Sequence, residues 1–134
     1  MATLLSVEGI GKKYAQTLKD AGVGTAEALL KQGATPKGRK ELAEKSGISE
    51  KLILEWVNHV DLFRIKGVGE EYADLLEEAG VDTVVELAQR KAENLHQKMV
   101  EVNKAKKLVR QLPTLAQVAG WVEQAKGLPR AISY

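Results

Sequence analysis

Apolar residues recur at intervals of three and four along most of the chain, and short segments rich in glycine, proline and polar residues separate the runs. In the first run, Tyr14, Ala15, Leu18 and Ala21 fall on one side of a helix and form a stripe suited to burial. The few aromatic residues leave a core of Leu, Val, Ile and Ala, which suits packed helices better than a sheet. The pattern therefore predicts an all-helical fold.

Residues that begin or end helices fall between these apolar runs. Thr25, Ser49, Thr83 and Thr114 each precede a run and belong to the residue types that cap helix N-termini. Pro113 breaks the chain before the last run. The later predicted helices are a third from Pro36 to about Lys45, one or two helices from Ala92 to Arg110, and a last one from Thr114 to about Lys126.

The chain contains an internal duplication, since residues 5–29 align with residues 63–87 at a constant offset of 58. Ten of the 25 aligned positions are identical, which is more than chance gives. Trp56 and Trp121 continue the similarity on later helices, where both are expected to lie in the core. We therefore predict two tandem, diverged repeats of about four helices each, packed as one compact unit. The repeats span 1–62 and 63–127, and an extended tail spans 128–134.

A glycine-containing segment stands immediately before a helix in each repeat, VEGIG at 7–11 and IKGVG at 65–69. The apolar members are expected to anchor the turn in the core, while the glycines permit positive φ and let a partner approach the backbone. Such a turn presents free N–H groups at a helix N-terminus, where the helix dipole also favours an anion. The segments therefore have the features needed to hold a nucleic-acid phosphate without reading bases.

These segments resemble the helix-hairpin-helix motif, in which an apolar-x-Gly-apolar-Gly turn is followed by a small or basic residue and Ala. GIGKKYA at 9–15 and GVGEEYA at 67–73 both match this pattern. Proteins with the motif bind DNA without sequence specificity, so the resemblance implies that the turns contact backbone phosphate. The residues to which it gives this role are Gly9, Ile10, Gly11, Lys12 and Lys13 in the first repeat, and Lys66, Gly67, Val68 and Gly69 in the second.

The layout of nearly the whole chain is similar to the bacterial DUF4332 family, a domain of unknown function. The similarity includes the stretch NLHQKMVEVNKAKKLVRQLP at 94–113 and the segment WVEQAKGLP at 121–129. Membership of this family implies the helix-hairpin-helix architecture and no particular activity.

Charge distinguishes the two hairpins, which are the turns at 7–11 and 65–69 together with the first two residues of the helix that follows each. Lys12 and Lys13 in the first repeat are replaced by Glu70 and Glu71 in the second, and residues 70–86 include seven acidic and no basic side chains. A carboxylate beside a phosphate repels it at a cost on the order of 1 kcal/mol even when screened. The first hairpin is therefore the better candidate for phosphate binding, although only residues 1–5 precede it where the motif has a complete helix.

A second basic group, formed by Lys104, Lys106, Lys107 and Arg110, contains no acidic residue. If these residues lie on one helix, Lys106 shares a face with Arg110, and Lys104 shares one with Lys107. The group is a candidate phosphate contact or a solvated helix face. It is also a candidate to pair with the acidic helix at 70–78, within one molecule or between two copies.

Several function classes find no support in the sequence. The absence of cysteine excludes disulfides and thiolate chemistry, and no metal-ligand spacing surrounds His59 or His96. No nucleophile elbow, metalloprotease or phosphate-loop motif occurs, so we expect a non-catalytic protein without cofactor or metal. The chain shows no secretory signal and no apolar run of roughly 18 residues, so we expect no membrane partner and a cytoplasmic location.

Two functions remain open at this point. One is nonspecific DNA binding through Gly9 to Lys13, with the second basic group adding charge. The alternative is a protein-interaction or scaffolding module, or a homo-oligomer, that keeps the fold without binding DNA. The near-neutral net charge of +2, the acidic second hairpin and the missing helix before the first hairpin favour this alternative, while the resemblance to the motif favours DNA. For the alternative, the tail from Leu128 to Tyr134 is a candidate docking segment that is expected to be exposed.

Overall fold

The computed structural model describes residues 3–134, and within that range it is all-helical, with no strand. This confirms the predicted fold class. A 3₁₀ turn at Leu4–Ser6 is followed by α1 (Lys12–Asp20), α2 (Ala26–Gln32), α3 (Pro36–Ser46), α4 (Glu50–Leu62), α5 (Glu70–Glu78), α6 (Val84–Ala88), α7 (Ala92–Lys106) and α8 (Leu115–Lys126). None of these helices is long and apolar enough to span a membrane.

Hydroxyl side chains cap four of the helices at the predicted positions. Thr25, Thr83 and Thr114 each accept a hydrogen bond from the backbone N–H three residues later, at 3.1, 3.3 and 3.1 Å. Ser49 does the same at the start of α4, at 3.2 Å. The Gln117 side chain also accepts from the Thr114 N–H at 2.8 Å, which completes a capping box on α8. The predicted caps are therefore confirmed.

Helix α7 ends at Lys106, four residues before the predicted end at Arg110. Lys107 takes a left-handed conformation (φ 52°), and its N–H donates to the Asn103 carbonyl at 2.7 Å. The Asn103 side chain then accepts from the Val109 N–H at 2.9 Å and donates to the Val109 carbonyl at 3.3 Å. These bonds stop the helix, so the predicted helical faces that include Lys107 and Arg110 do not form.

The chain divides into two compact units, Met1–Asp61 with Ala131–Tyr134, and Leu62–Arg130. The core of the first unit is aliphatic around one tryptophan, and its fully or almost fully buried side chains include Leu18, Leu29, Leu42, Ile53, Trp56 and Val57. The second unit has a core of the same kind, which includes Ile65, Leu75, Leu76, Leu87, Leu95, Met99 and Trp121. Burial of both tryptophans confirms their predicted place in the core.

The end of the chain packs onto the first unit through backbone hydrogen bonds. The Ser133 N–H donates to the Ala34 carbonyl at 2.7 Å. Arg39, which is buried, donates to the carbonyls of Ser133 and Gly33 at 2.9 and 2.8 Å. Ile132 is also buried. The prediction that the tail is an exposed docking segment is therefore wrong at these residues, because burial and these bonds hold them in place.

Candidate nucleic-acid interface

The first hairpin is a tight turn anchored by two buried side chains. Val7 and Ile10 are 1% and 4% exposed, and the Ile10 N–H donates to the Val7 carbonyl at 3.1 Å. Gly9, between them, has a φ of +91°, a conformation that residues with a Cβ rarely adopt. Gly11 is extended and is the N-cap of α1. The turn therefore buries its apolar residues and leaves Gly9 and Gly11 exposed.

Backbone donors are available on the exposed side of this turn. Gly11 provides no side-chain cap, and the first backbone hydrogen bond of α1 runs from the Ala15 N–H to the Gly11 carbonyl. Within residues 3–134, the amides of Gly9 and Gly11 donate to no backbone carbonyl. The prediction for the Ile10 amide is wrong, because the turn itself uses that N–H.

Charged side chains flank these donors on both sides. Lys12 and Lys13 occupy the first two positions of α1, and both are exposed. Glu8, also exposed, precedes Gly9. Free amides, a helix N-terminus and two cations therefore lie within five consecutive residues, which is an arrangement suited to an anion.

Trp56, in α4, packs against the backbone of the first hairpin at Gly9. A Cβ added at Gly9 would lie 3.2 Å from the Trp56 Nε1 atom, so the indole would have to shift by a few tenths of an ångström to accommodate a side chain there. The Tyr14 ring packs on the same indole, with ring centroids 5.0 Å apart and a tilt of 60°. Tyr14 is nevertheless 39% exposed, so its predicted burial is only partial. This contact was not predicted from the sequence, although Trp56 and Trp121 at matching positions were a signal for it.

The second hairpin has the same local geometry. The Val68 N–H donates to the Ile65 carbonyl at 3.1 Å, and Gly67 has a φ of +95°. A Cβ at Gly67 would lie 3.1 Å from Nε1 of Trp121, on which the Tyr72 ring packs at 5.3 Å. As in the first hairpin, the turn itself uses this N–H. The prediction that Val68 offers a free N–H is therefore wrong.

Lys66 and Gly69 complete the predicted residues of the second hairpin. Gly69 is the exposed N-cap of α5 and provides no side-chain cap. The Lys66 N–H donates to Oε1 of Gln124 at 2.9 Å, and Nε2 of Gln124 donates back to the Lys66 carbonyl at 3.1 Å. Gln124 was not predicted from the sequence, because a contact across 58 positions leaves no local pattern. It fixes the Lys66 backbone, while the Lys66 side chain is exposed.

A groove of about 510 Å³ lies beside the second hairpin. Glu70, Glu71 and Arg110 line it together with Gly67 and Gly69. The structure therefore brings Arg110, alone among the second basic group, to a hairpin. The lining of the groove includes one guanidinium and two carboxylates, so the groove carries no net positive charge.

The other members of the second basic group lie elsewhere. The Lys106 Nζ atom forms an ion pair of 2.6 Å with Oε2 of Glu78, at the end of α5 opposite to the hairpin, about 12 Å along the helix. This ion pair confirms the predicted pairing within the molecule at one position. Lys104 and Lys107 are exposed, one in α7 and one just beyond it. The group does not form one continuous helical surface.

The acidic character of the second unit extends past α5. Burial, together with the carboxylates of Glu86 and Glu77, raises the pKa of Asp82 above its usual value. The carboxylates of Asp82, Glu77 and Glu86 are therefore close enough to interact. Within residues 3–134, no group of His, Cys, Asp or Glu is arranged to hold a metal ion.

The two exposed glycines of the first hairpin are expected to respond differently to substitution. Gly9→Ala combines a positive φ with a contact of 3.2 Å to Trp56, so we expect it to lower the free energy of unfolding by about 1–3 kcal/mol. Gly11→Ala has an extended backbone and nothing within 4 Å, so its cost comes only from the poorer N-cap, and we expect a loss of about 0.5–1 kcal/mol. Urea unfolding of both variants measures the difference, and equal losses would contradict the described turn.

Comparison with known proteins gives one match. The model of a family described as a domain of unknown function, DUF4332, matches residues 8–128. No curated protein and no solved structure matches the chain. Because the match covers most of the sequence, the chain belongs to the DUF4332 family.

Proposed function

We propose that this protein binds the phosphate backbone of DNA, without sequence specificity, through the first hairpin. The observation that carries the proposal is the uncapped N-terminus of α1, where the free amides of Gly9 and Gly11 adjoin the exposed Lys12 and Lys13. Backbone amides and lysine ammonium groups are donors that bind phosphate and carry no information about base sequence. The same turn supports the assignment of the helix-hairpin-helix motif to this segment.

The rigidity of the turn favours this function. Val7 and Ile10 fix it in the core, and Trp56 lies against Gly9, so the donors keep their positions before a ligand arrives. A site that is already ordered loses less conformational entropy on binding. Since Gly11 has open space around its Cα, a phosphate can approach the backbone closely at that position.

The second hairpin is not proposed to bind phosphate. Its backbone is equivalent, but Glu70 and Glu71 are exposed where the first hairpin has lysines. Arg110 supplies one positive charge at the groove, which two carboxylates offset. In this account, side-chain charge and not backbone shape decides which hairpin binds.

A protein-interaction module is the second candidate function. The observation that favours it is the acidic surface of α5, together with the exposed side chains of Leu112 and Leu115 in the same unit. Carboxylates and exposed leucines in one unit suit a partner that is basic and partly apolar, and the carboxylates oppose DNA. If this protein failed to bind DNA at low salt, that result would favour the protein-interaction function.

The DNA proposal is tested by fluorescence anisotropy of labelled double-stranded DNA. We expect affinity to fall steeply between about 50 and about 200 mM salt and to be the same for unrelated base sequences. Lys12→Glu with Lys13→Glu should weaken binding about tenfold or more, and should reduce the salt slope by about two, because two phosphate contacts are lost.

A matched control keeps the change in net charge the same. Lys51→Glu with Lys98→Glu reverses two exposed lysines on α4 and α7, outside both hairpins. We expect this variant to stay within about threefold of the wild type, since the residues of the first hairpin are unchanged. Equal weakening by the two double variants would mean that net charge alone drives binding, and would contradict a site at the first hairpin.

A further inference from the structure

Helices α1 and α5 have equivalent backbones and opposite surface charge. Every lysine of α1 has a glutamate at the matching position of α5: Lys12 and Glu70, Lys13 and Glu71, Lys19 and Glu77. Leu18 and Leu76, which occupy matching positions, are both fully buried. The opposite charges at 12, 13, 70 and 71 lie on exposed side chains, where they are not needed for folding.

We propose that the α1 surface of one molecule binds the α5 surface of a second copy. The α1 surface is defined here by Lys12, Lys13 and Tyr14, and the α5 surface by Glu70 and Glu71. All five side chains are exposed, and of these Tyr14 adds an aromatic ring that is 39% accessible. The charges on the two surfaces are complementary, which favours encounter and fixes the orientation of the partner.

Charge also excludes contacts between like surfaces. Two α1 surfaces would bring lysines against lysines, and two α5 surfaces would bring glutamates against glutamates, both of which are repulsive. The contact of α1 with α5 is the favourable one, and it forms either once, head to tail, or twice, in a two-fold dimer.

The association is expected to be weak and sensitive to salt. Exposed ion pairs contribute little and are screened, so dissociation constants on the order of 0.1–1 mM follow. The proposal does not rest on DNA binding, but it uses Lys12 and Lys13. DNA and a second copy therefore compete for the α1 surface, and DNA should disperse the oligomers.

Sedimentation equilibrium of the full chain tests the proposal. The wild type should show an average mass that rises with concentration at about 50 mM salt and returns to the monomer value at about 500 mM salt. Lys12→Glu with Lys13→Glu has two acidic surfaces, and Glu70→Lys with Glu71→Lys has two basic ones, so each variant alone should remain monomeric. An equimolar mixture of these two variants should associate again.

Two control variants separate this specific contact from general attraction between net charges. Lys51→Glu with Lys98→Glu, and Glu41→Lys with Glu101→Lys, carry the same net charges but keep the α1 and α5 surfaces intact. Each of these should associate alone as the wild type does. A wild type that stays monomeric at millimolar concentration and low salt would overturn the proposal, as would double variants at 12/13 and 70/71 that associate normally. Neither result would affect DNA binding, which is measured on dilute protein.

Discussion

Replacement of Trp56 by alanine is expected to lower the free energy of unfolding of the first unit by about 3–5 kcal/mol. The indole is 2% exposed, and it contacts both Gly9 and the Tyr14 ring. Its removal leaves a cavity beneath the hairpin, and the neighbouring aliphatic side chains fill it only in part. The loss should extend to function, because the turn that presents the Gly9 and Gly11 amides loses its support.

Thermal and urea unfolding followed by circular dichroism measure this loss. Trp121 is then the remaining tryptophan, and its fluorescence reports on the second unit separately. Leu112→Ala is a suitable control, because that side chain is 37% exposed and its truncation should cost only about 1 kcal/mol. A loss below about 1 kcal/mol for Trp56→Ala would contradict the supporting role given to the indole.

Exchange of charge between the hairpins is expected to move DNA binding from the first unit to the second. The variant combines Lys12→Glu and Lys13→Glu with Glu70→Lys and Glu71→Lys, and it keeps the net charge of +2. The second hairpin has the same turn, with Gly67 at a φ of +95° and Gly69 as the uncapped start of α5. We expect affinity to recover to within about threefold of the wild type, which is about threefold or more above the variant reversed at 12 and 13 alone.

The recovered binding should also depend on the second hairpin alone. Arg110→Ala in the charge-exchanged protein should weaken binding further, because Arg110 lines the groove beside Glu70 and Glu71. The same substitution in the wild type should have little effect. If the charge-exchanged protein bound no better than the variant reversed at 12 and 13, backbone geometry and two lysines would not be sufficient for binding.

The fold was largely predictable because its signals are local. The Thr83 hydroxyl caps α6 by accepting a hydrogen bond from the backbone N–H three residues later, and Thr114 caps α8 in the same way. The glycine pattern at 7–11 and 65–69 predicted the turns, since glycine adopts the positive φ found at Gly9 and Gly67 at little cost. Local chemistry of this kind is visible in a single sequence.

The features that escaped prediction depend on distant contacts or unusual backbone conformations. Lys107 adopts a left-handed conformation that favours glycine, and the Asn103 side chain holds the chain there. The pairing of Gln124 with the Lys66 backbone joins residues 58 positions apart. The position of Trp56 against Gly9 is likewise a result of packing. Helical periodicity predicts that such side chains are buried, but it does not predict what they touch.

The most direct test of the central claim is a titration of the isotopically labelled protein with a short DNA duplex, followed by amide chemical shifts. We expect the amides of Gly9, Gly11, Lys12 and Lys13 to shift and saturate, and to return to their free positions at high salt. The Ile10 amide, which donates to the Val7 carbonyl, should shift much less. Shifts centred on residues 104–110, or no shifts at about 50 mM salt, would contradict phosphate binding at the first hairpin.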